Sequence, residues 1–445
     1  MRAHDGRLLQ VLGVAFGLAV LVGNTIGMGI LRTPGEVAAA VPSAAIFMTV
    51  WVAGAAYALL GALCVAELGA MHPRSGGLFP LVHRGLGPFA GFVAGWTDWL
   101  GTCGSMAAVA VVLGEYLGPL IPALDGRAAT TGAAFVVGFA LLQWRGIRIG
   151  DVAQQVTSLL KAVALVGLAA VALVASPDAS PAAVPDSVPA IAGGLALVGA
   201  VVVGLQSVIY TYDGWTGPVY FGEEVREPGR DIPRSMIGGV LLVLAIYLAL
   251  NVAFLRVVPI ADMAGDPFVA ATVAARLFGP AGDTVVRVLT VVSLLAAVNA
   301  LQLMASRVPY AMSRVGLLPS SLGRVNAGGT PLPALAAGTV LALIFIASNT
   351  LDRILALLAF FFVANYVLTF AALFVLRRRE PDAPRPFRVP AYPFVPGIAL
   401  AGSLAFLVAA AWGDRTNSLI AVALVAASWP TYRALASMAT AQASP

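Results

Sequence analysis

The sequence predicts an all-α membrane protein of twelve transmembrane helices, and three observations carry that prediction. Only 11% of the residues are charged while 60% are hydrophobic. A soluble chain carries about twice that share of charge, and a soluble fold of this make-up would expose apolar patches that only a bilayer accepts. Apolar runs of roughly 18 or more residues recur along the whole chain, so a separate soluble domain is not expected. The basic residues sit in short loops between these runs, which excludes the basic face that the formal net charge of +5 would otherwise suggest for nucleic acid.

The hydrophobic segments run over 9–32, 43–70, 86–118, 128–144, 151–175, 191–221, 235–257, 283–312, 333–349, 352–376, 394–412 and 417–436. Each reaches across a hydrocarbon core of ~30 Å at ~1.5 Å per residue, with some tilt. Segment 128–144 is at the short limit, and 268–279 is apolar but too short, an interfacial or outer-loop helix. Residues 1–7 are polar and no small-residue cleavage site follows, so the first helix is expected to be retained. Cys64 and Cys103 fall inside spans and read as buried small hydrophobes, not a disulfide framework.

An even number of spans puts both ends on one side, and loop charge says which. With the N-terminus inside, the inner loops hold Arg74, Arg84, Arg145, Arg148, Arg226, Arg230, Arg234, Arg314, Arg324 and the cluster Arg377, Arg378, Arg379, Arg385, Arg388. The outer loops hold only Arg127, Arg256, Arg276, Arg353 and Arg415, and the 176–190 loop has Asp178 and Asp186 with no basic residue. Positive charge collects on the cytoplasmic side of an inner membrane, so both termini are expected there.

Two spans are interrupted. The first carries Gly23-Asn24-Thr25-Ile26-Gly27-Met28-Gly29 at its middle, and the sixth carries Tyr210-Thr211-Tyr212-Asp213-Gly214-Trp215-Thr216-Gly217-Pro218. Glycine costs ~1 kcal/mol and proline ~3 kcal/mol per helical position relative to alanine, so both clusters predict unwound backbone. At mid-membrane depth that is tolerated only where protein or a wet cavity satisfies the freed groups. Five spans separate the two breaks, which points them in opposite senses across the membrane. An inverted repeat of five plus five helices gives that arrangement, with residues 1–175 and 176–376 as its halves and 377–445 as two further helices and the C-terminus of one membrane domain. Half-helix N-termini offer N–H groups to a carboxylate, and freed carbonyls accept from an ammonium. A zwitterion is the natural ligand. Glycines that only let helices pack closely are the rival reading; two clusters in matching positions favour a site.

Around these breaks the sequence resembles the amino acid–polyamine–organocation superfamily, and within it the L-type amino acid transporters and their bacterial relatives. The similarity covers roughly residues 10–395. It is carried by Val22 to Pro34; by Ala66-Glu67-Leu68-Gly69 with Pro73 and Gly76-Gly77; by Tyr212-Asp213-Gly214-Trp215 leading to Glu223-Glu224-Val225, Pro228, Arg230 and Pro233-Arg234; by Asn299, Ser306-Arg307, Arg314 to Pro319 and Thr330-Pro331; and by Arg385 to Pro390. The resemblance implies an inverted-repeat fold of the LeuT type and amino acid transport by alternating access, as exchanger or proton symporter. It implies a substrate carboxylate on Thr25, Ile26, Gly27, Met28 and Gly29, an ammonium on the carbonyls of Tyr210, Thr211 and Asp213, and Tyr210 as the gating aromatic. Two positions depart from the family: Met28 stands where a small residue is usual, and the aromatic after Gly76-Gly77 is present only as Phe79.

Lys161, the single lysine, lies ten residues into the fifth span, about 15 Å by helical rise. That depth strains snorkelling and makes a functional role the default. In sodium-independent members of the superfamily a lysine here takes the place of a sodium ion and ties the fifth span to the helix-one break. Lys161 resembles that residue, which argues against sodium coupling and leaves proton coupling open.

Asp213 either meets an ammonium or a proton, or caps the second half-helix. Asp98 in the third span makes either a local hydrogen bond or a contribution to transport. Glu67 reads as structural and Asn299 as a helix cross-link. Glu223, Glu224, Arg230 and Arg234 form either an inner-gate ion network or a solvated loop. Gly87, Gly91 and Gly95 are a packing stripe, and Trp96, Trp99, Trp412 and Trp429 are interfacial anchors or packing residues.

An enzyme is not expected: the three histidines, at 4, 72 and 83, lie near the inner surface, and no His-Glu-x-x-His or Gly-x-Ser-x-Gly motif is present. No filter-like ring of residues suggests a channel, and the short termini disfavour a sensor. Acidic residues near the pocket keep a polyamine or cationic-amine carrier as the runner-up. No cofactor or metal is called for. The implied partners are an amino acid substrate and the bilayer. Mammalian L-type members bind a heavy subunit through a cysteine after the third span, and the loop from Gly118 to Arg127 has none, so no disulfide-linked heavy subunit is expected.

Overall fold

The computed structural model describes residues 8–41, 43–174, 194–348, 351–413 and 415–443, and these form helices with no strand longer than a single bridge. The 176–190 loop and residues 1–7 lie outside the described residues. Seven helices are long and apolar enough to cross a membrane, and a bent pair makes up to eight. That pair is the first span. Helix α1 (Val14–Thr25) and α2 (Gly29–Ala40) meet at 49° across three residues. Expected to end at residue 32, the span instead continues to Ala40. Pro34 removes one helical hydrogen bond without stopping α2, because Val37 and Ala38 beyond it are fully buried and hold the extra turns.

The second and third spans are α3 (Ala44–Met71) and, after a short buried helix α4 (Phe79–Leu86), α5 (Pro88–Leu117). The short α6 (Ala128–Trp144) and the longer α7 (Ile147–Val174) follow. Helix α8 (Leu195–Thr211) stops where the sixth span was expected to break; a 3-10 turn over Gly217–Tyr220 follows, then α9 (Pro228–Val257). The apolar stretch near 270 is a separate helix, α11 (Val269–Phe278), preceded by one turn, α10 (Ile260–Met263). The remaining elements are α12 (Gly282–Arg314), α13 (Leu332–Ala347), α14 (Leu351–Arg379), α15 (Phe394–Gly413) and α16 (Arg415–Ala443).

The broken helices occupy the centre. Helix α1 packs against α7, α9 and α12, while α2 packs against α8. Around them α5, α12, α3 and α14 form the inner wall. Helix α12 is buried along nearly its whole second half, from Leu294 to Ser313, whereas α7 exposes Val156, Leu159, Leu160 and Val163 on one face. An apolar outer face and a packed inner one are what a lipid-facing helix presents.

Small residues allow the close approaches. Gly91 and Gly95 seat α5 on His83 and on Phe79 and Met312, while Gly87 has open space beside it. Trp412 and Trp429 are exposed; Trp96 and Trp99 pack on the core. Cys64 and Cys103 are free and fully buried.

Candidate functional site

The two interruptions touch. Helix α1 ends at Ile26, whose backbone turns extended (φ −79°, ψ 96°), and α2 starts again after Met28 with no side-chain cap. The first main-chain bonds of α2 are Leu31 and Arg32 N–H to the Met28 carbonyl, at 3.1 and 3.2 Å. The N–H groups of Gly27, Met28 and Gly29 precede them and have no intrahelical acceptor. On the other side, the chain leaves α8 through Asp213 and turns sharply at Gly214 (φ +113°). A Cβ there would stand 2.9 Å from the Thr25 nitrogen, so only glycine fits. Asn24 Nδ2 donates to the Gly214 carbonyl at 3.3 Å, and the hydroxyls of Thr33 and Thr211 meet at 2.8 Å.

Two side chains from other helices pin the breaks. Lys161 on α7 is wholly buried and donates to the Gly23 carbonyl at 2.9 Å and to that of Ile26. These are carbonyls that the end of α1 leaves without helical donors, and the ammonium satisfies them. Tyr247 on α9 shares its hydroxyl proton between the Thr25 carbonyl at 3.0 Å and the Thr211 carbonyl at 3.1 Å. It joins the two breaks directly.

A cavity of about 630 Å³ opens beside them. Thr25, Gly27, Met28, Gly29, Tyr210, Thr211 and Asp213 all line it, together with Asp98, Asn365 and Tyr366. Ile26 does not; it is buried and its carbonyl is taken by Lys161. Met28 leans onto Leu113, Leu117 and Leu294 and so forms wall. Tyr210 is 48% exposed on the cavity side. Asp213 accepts the Tyr366 hydroxyl, while Trp215 lies 4.9 Å from the Tyr366 ring. The cavity lining is exposed at Arg32 and Glu36, its open end, and buried at Thr216, Tyr220 and Leu78.

This break-lined cavity sits in a chain that matches the family model described as amino acid permease over residues 7–429. The chain belongs to the amino acid permease family. That is a family of transporters, not of enzymes, and it bears out the superfamily resemblance. Similar proteins include the serine/threonine exchanger SteT of Bacillus subtilis, 29% identical over 97% of this chain and 98% of that one. The b(0,+)-type amino acid transporter 1 of Mus musculus is 28% identical over 90% and 82%. The large neutral amino acids transporter small subunit 2 of Homo sapiens is 26% identical over 96% and 80%.

The closed end of the cavity in this permease-family chain is a plug made by residues 220–226. Gly76 N–H donates to Tyr220 O at 3.0 Å, Leu12 N–H donates to the Glu224 carbonyl, and Arg226 N–H donates to the Leu12 carbonyl, the last two at 2.9 Å each. Glu224 takes two bonds from Arg307, at 3.1 and 2.9 Å, and both side chains are almost fully buried. Arg307 also lies over the Phe221 ring at 5.0 Å. The ion network expected from Glu223, Glu224, Arg230 and Arg234 is therefore differently wired. Glu223 meets Arg74 at 3.4 Å, and Arg230 meets Glu227 at 2.9 Å.

Two structural readings hold in detail. Glu67 binds Arg377 at 2.6 Å and the Val389 N–H at 2.7 Å, fastening the segment after α14 to α3. Asn299 donates to Gln154 at 2.8 Å and accepts from Gln143 at 2.9 Å, joining α12 to α7 and α6. Sequence reasoning missed Tyr247 and Tyr366. The available signal was a tyrosine alone in an apolar run, whose buried hydroxyl needs an acceptor.

Proposed function

We propose that this chain carries amino acids across the inner membrane by alternating access, without sodium. The observation that carries the reading is the junction of the two helix breaks beside one cavity, held by Lys161 and Tyr247. The free N–H groups at Gly27, Met28 and Gly29 suit the substrate carboxylate. The carbonyls of Tyr210, Thr211 and Asp213 suit its ammonium, with Tyr210 as the gate. Lys161 fills the position where a sodium ion would otherwise satisfy the Gly23 and Ile26 carbonyls. The relatives' names, an exchanger and two amino acid transporters, support amino acids as cargo.

On this reading the chain has twelve spans. Residues 1–175 and 176–376 form a LeuT-like inverted repeat, residues 377–445 add two helices, and both termini are cytoplasmic. Helices α6, α8 and α13 supply the shorter spans. The cavity then opens outward and the plug closes the inner end. No disulfide-linked heavy subunit is involved, since both cysteines are buried within helices.

The second reading, a cationic-amine carrier, is motivated by Asp98 and Asp213 lining the same cavity. A panel of labelled amino acids and polyamines, taken up by proteoliposomes with and without sodium and with internal substrate, tests both. Saturable amino acid counterflow is expected in sodium-free buffer. Sodium-dependent uptake overturns the role given to Lys161, polyamine-only uptake selects the second reading, and no flux at all favours a sensor.

A further inference from the structure

Among the described residues, the buried acids Glu67 and Glu224 are paired with arginine, whereas Asp231 at the start of α9 and Asp98 on the cavity wall are not, and only Asp98 lines the cavity. Glu67 faces Arg377 and Arg385, and Glu224 faces Arg307. Asp98 on α5 is 2% exposed, and among the described residues no basic side chain pairs with it. Its Oδ1 accepts the Tyr220 hydroxyl at 2.6 Å. Its Oδ2 is buried and has no donor.

We propose that Asp98 is the proton-binding group of the carrier, taking up one proton per substrate and thereby loosening the inner plug. This rests on the carrier reading above and deepens it.

The room around Oδ2 selects the ligand. A Cβ on Gly77 would stand 2.9 Å from that oxygen, so this side of Oδ2 is too tight for even one added carbon. A water or an ammonium needs a site of its own with several partners. A proton needs only the oxygen's lone pair. Asp98 lines the cavity, so a proton arriving from the open end reaches it without crossing the plug.

The other groups facing Asp98 leave that role to it. Cys103 on its own helix is neutral, and Thr102, also neutral, offers Asp98 no more than a hydroxyl hydrogen bond. Tyr220 from the 3-10 turn already donates to it. Asp213 from the sixth-span break is held by Tyr366 of α14. Neighbouring Asn365 is engaged by Thr97 at 3.3 Å. Arg307 on α12 is spent on Glu224. Lys161 is bonded to the carbonyls of α1 and does not line the cavity.

The consequence of protonation follows from where Tyr220 sits. It ends the 3-10 turn, its carbonyl accepts from Gly76, and the next residue, Phe221, bridges to Ser75. The Tyr220–Asp98 bond ties this plug to the α5 wall. A hydrogen bond to a carboxylate is roughly twice as strong as one between neutral groups. When a hydronium in the cavity gives its proton to Oδ2, an O–H bond forms, the charge is neutralised and the tie weakens. When the plug has opened, that O–H bond breaks to inner water and the carboxylate again holds Tyr220. Tyr220 keeps its own proton throughout.

The test uses the full chain in proteoliposomes, with whichever labelled amino acid shows saturable counterflow, an inside-alkaline gradient of about one pH unit, and a trapped pH dye. Wild type should acidify the lumen on adding substrate and accumulate it up to about tenfold, the limit for one proton per substrate across one unit. Asp98→Asn, which keeps an oxygen for Tyr220, should lose acidification and bring accumulation to about one while counterflow stays measurable. Tyr220→Phe should flatten the rise in counterflow between pH 7.5 and 5.5, and it carries the test alone if Asp98→Asn does not fold. Wild-type counterflow without acidification overturns the proposal and leaves the carrier reading standing, as does an Asp98→Asn protein that acidifies like wild type or a Tyr220→Phe protein with an unchanged pH profile. Absence of counterflow in wild type sinks the carrier reading itself.

Discussion

Replacing Lys161 by alanine separates a functional from a merely structural lysine. The side chain makes two charge-assisted bonds, to the carbonyls of Gly23 and Ile26. Such bonds contribute about 1.5–3 kcal/mol each, so their loss costs roughly 3–6 kcal/mol. Removing a buried ammonium returns several kcal/mol of desolvation. The net loss of stability is therefore about 1–3 kcal/mol, and the melting temperature should fall by only a few degrees. The two orphaned carbonyls lie in the break that the site depends on, where a shift of about 3 kcal/mol is a factor of roughly 100 in rate. Counterflow by Lys161→Ala should therefore drop about 100-fold or more while the protein still elutes as a folded species. Lys161→Met, which restores bulk without a donor, should behave alike. Near-normal counterflow in either variant refutes the argument that these carbonyls need a cation.

Gly214→Ala forces a Cβ into a left-handed position against the Thr25 nitrogen. Strain of about 1–3 kcal/mol should appear as a tenfold or larger loss of apparent substrate affinity in counterflow titrations. Arg307→Leu leaves Glu224 buried without a counter-charge, so about 3–5 kcal/mol of stability should be lost, and Arg307→Leu with Glu224→Leu should regain most of it in thermal unfolding. At the end of α3, His72 accepts from Arg84 at 2.9 Å, and burial, then the charge of Arg84, lowers its pKa from 6.5 to about 4. The unfolded chain takes up this proton below about pH 6.5 while the folded one waits until about pH 4. Stability should thus fall across that window, on the order of 1–2 kcal/mol at this half-buried site, and His72→Asn should reduce the dependence of melting temperature on pH, leaving the smaller part that His83, also lowered by burial, contributes.

Hydropathy and glycine content placed the helices well because both are local. The expected limits 128–144 and 283–312 fall within a residue or two of Ala128–Trp144 and Gly282–Arg314. Both breaks fell where Gly23–Gly29 and Tyr210–Pro218 were read as unwound. The end of the first span was misjudged, because Thr33-Pro34 is a local stop signal that burial of Val37 and Ala38 overrides. Side-chain partners were less legible. Arg307 and Glu224 lie 83 positions apart, and nothing in either neighbourhood names the other. Glu223 and Glu224 are adjacent in sequence, yet one is half-exposed beside Arg74 and the other is sealed against Arg307. Burial decides between them, and burial is a property of the assembled bundle.

The pair of main-chain bonds between Leu12 and the Glu224–Arg226 segment has a mechanical meaning. It clasps the stem below one interrupted helix to the stem below the other, while Tyr247 and the Thr33–Thr211 contact clasp them higher up. Fastened at three heights, the two arms have little freedom to part from one another.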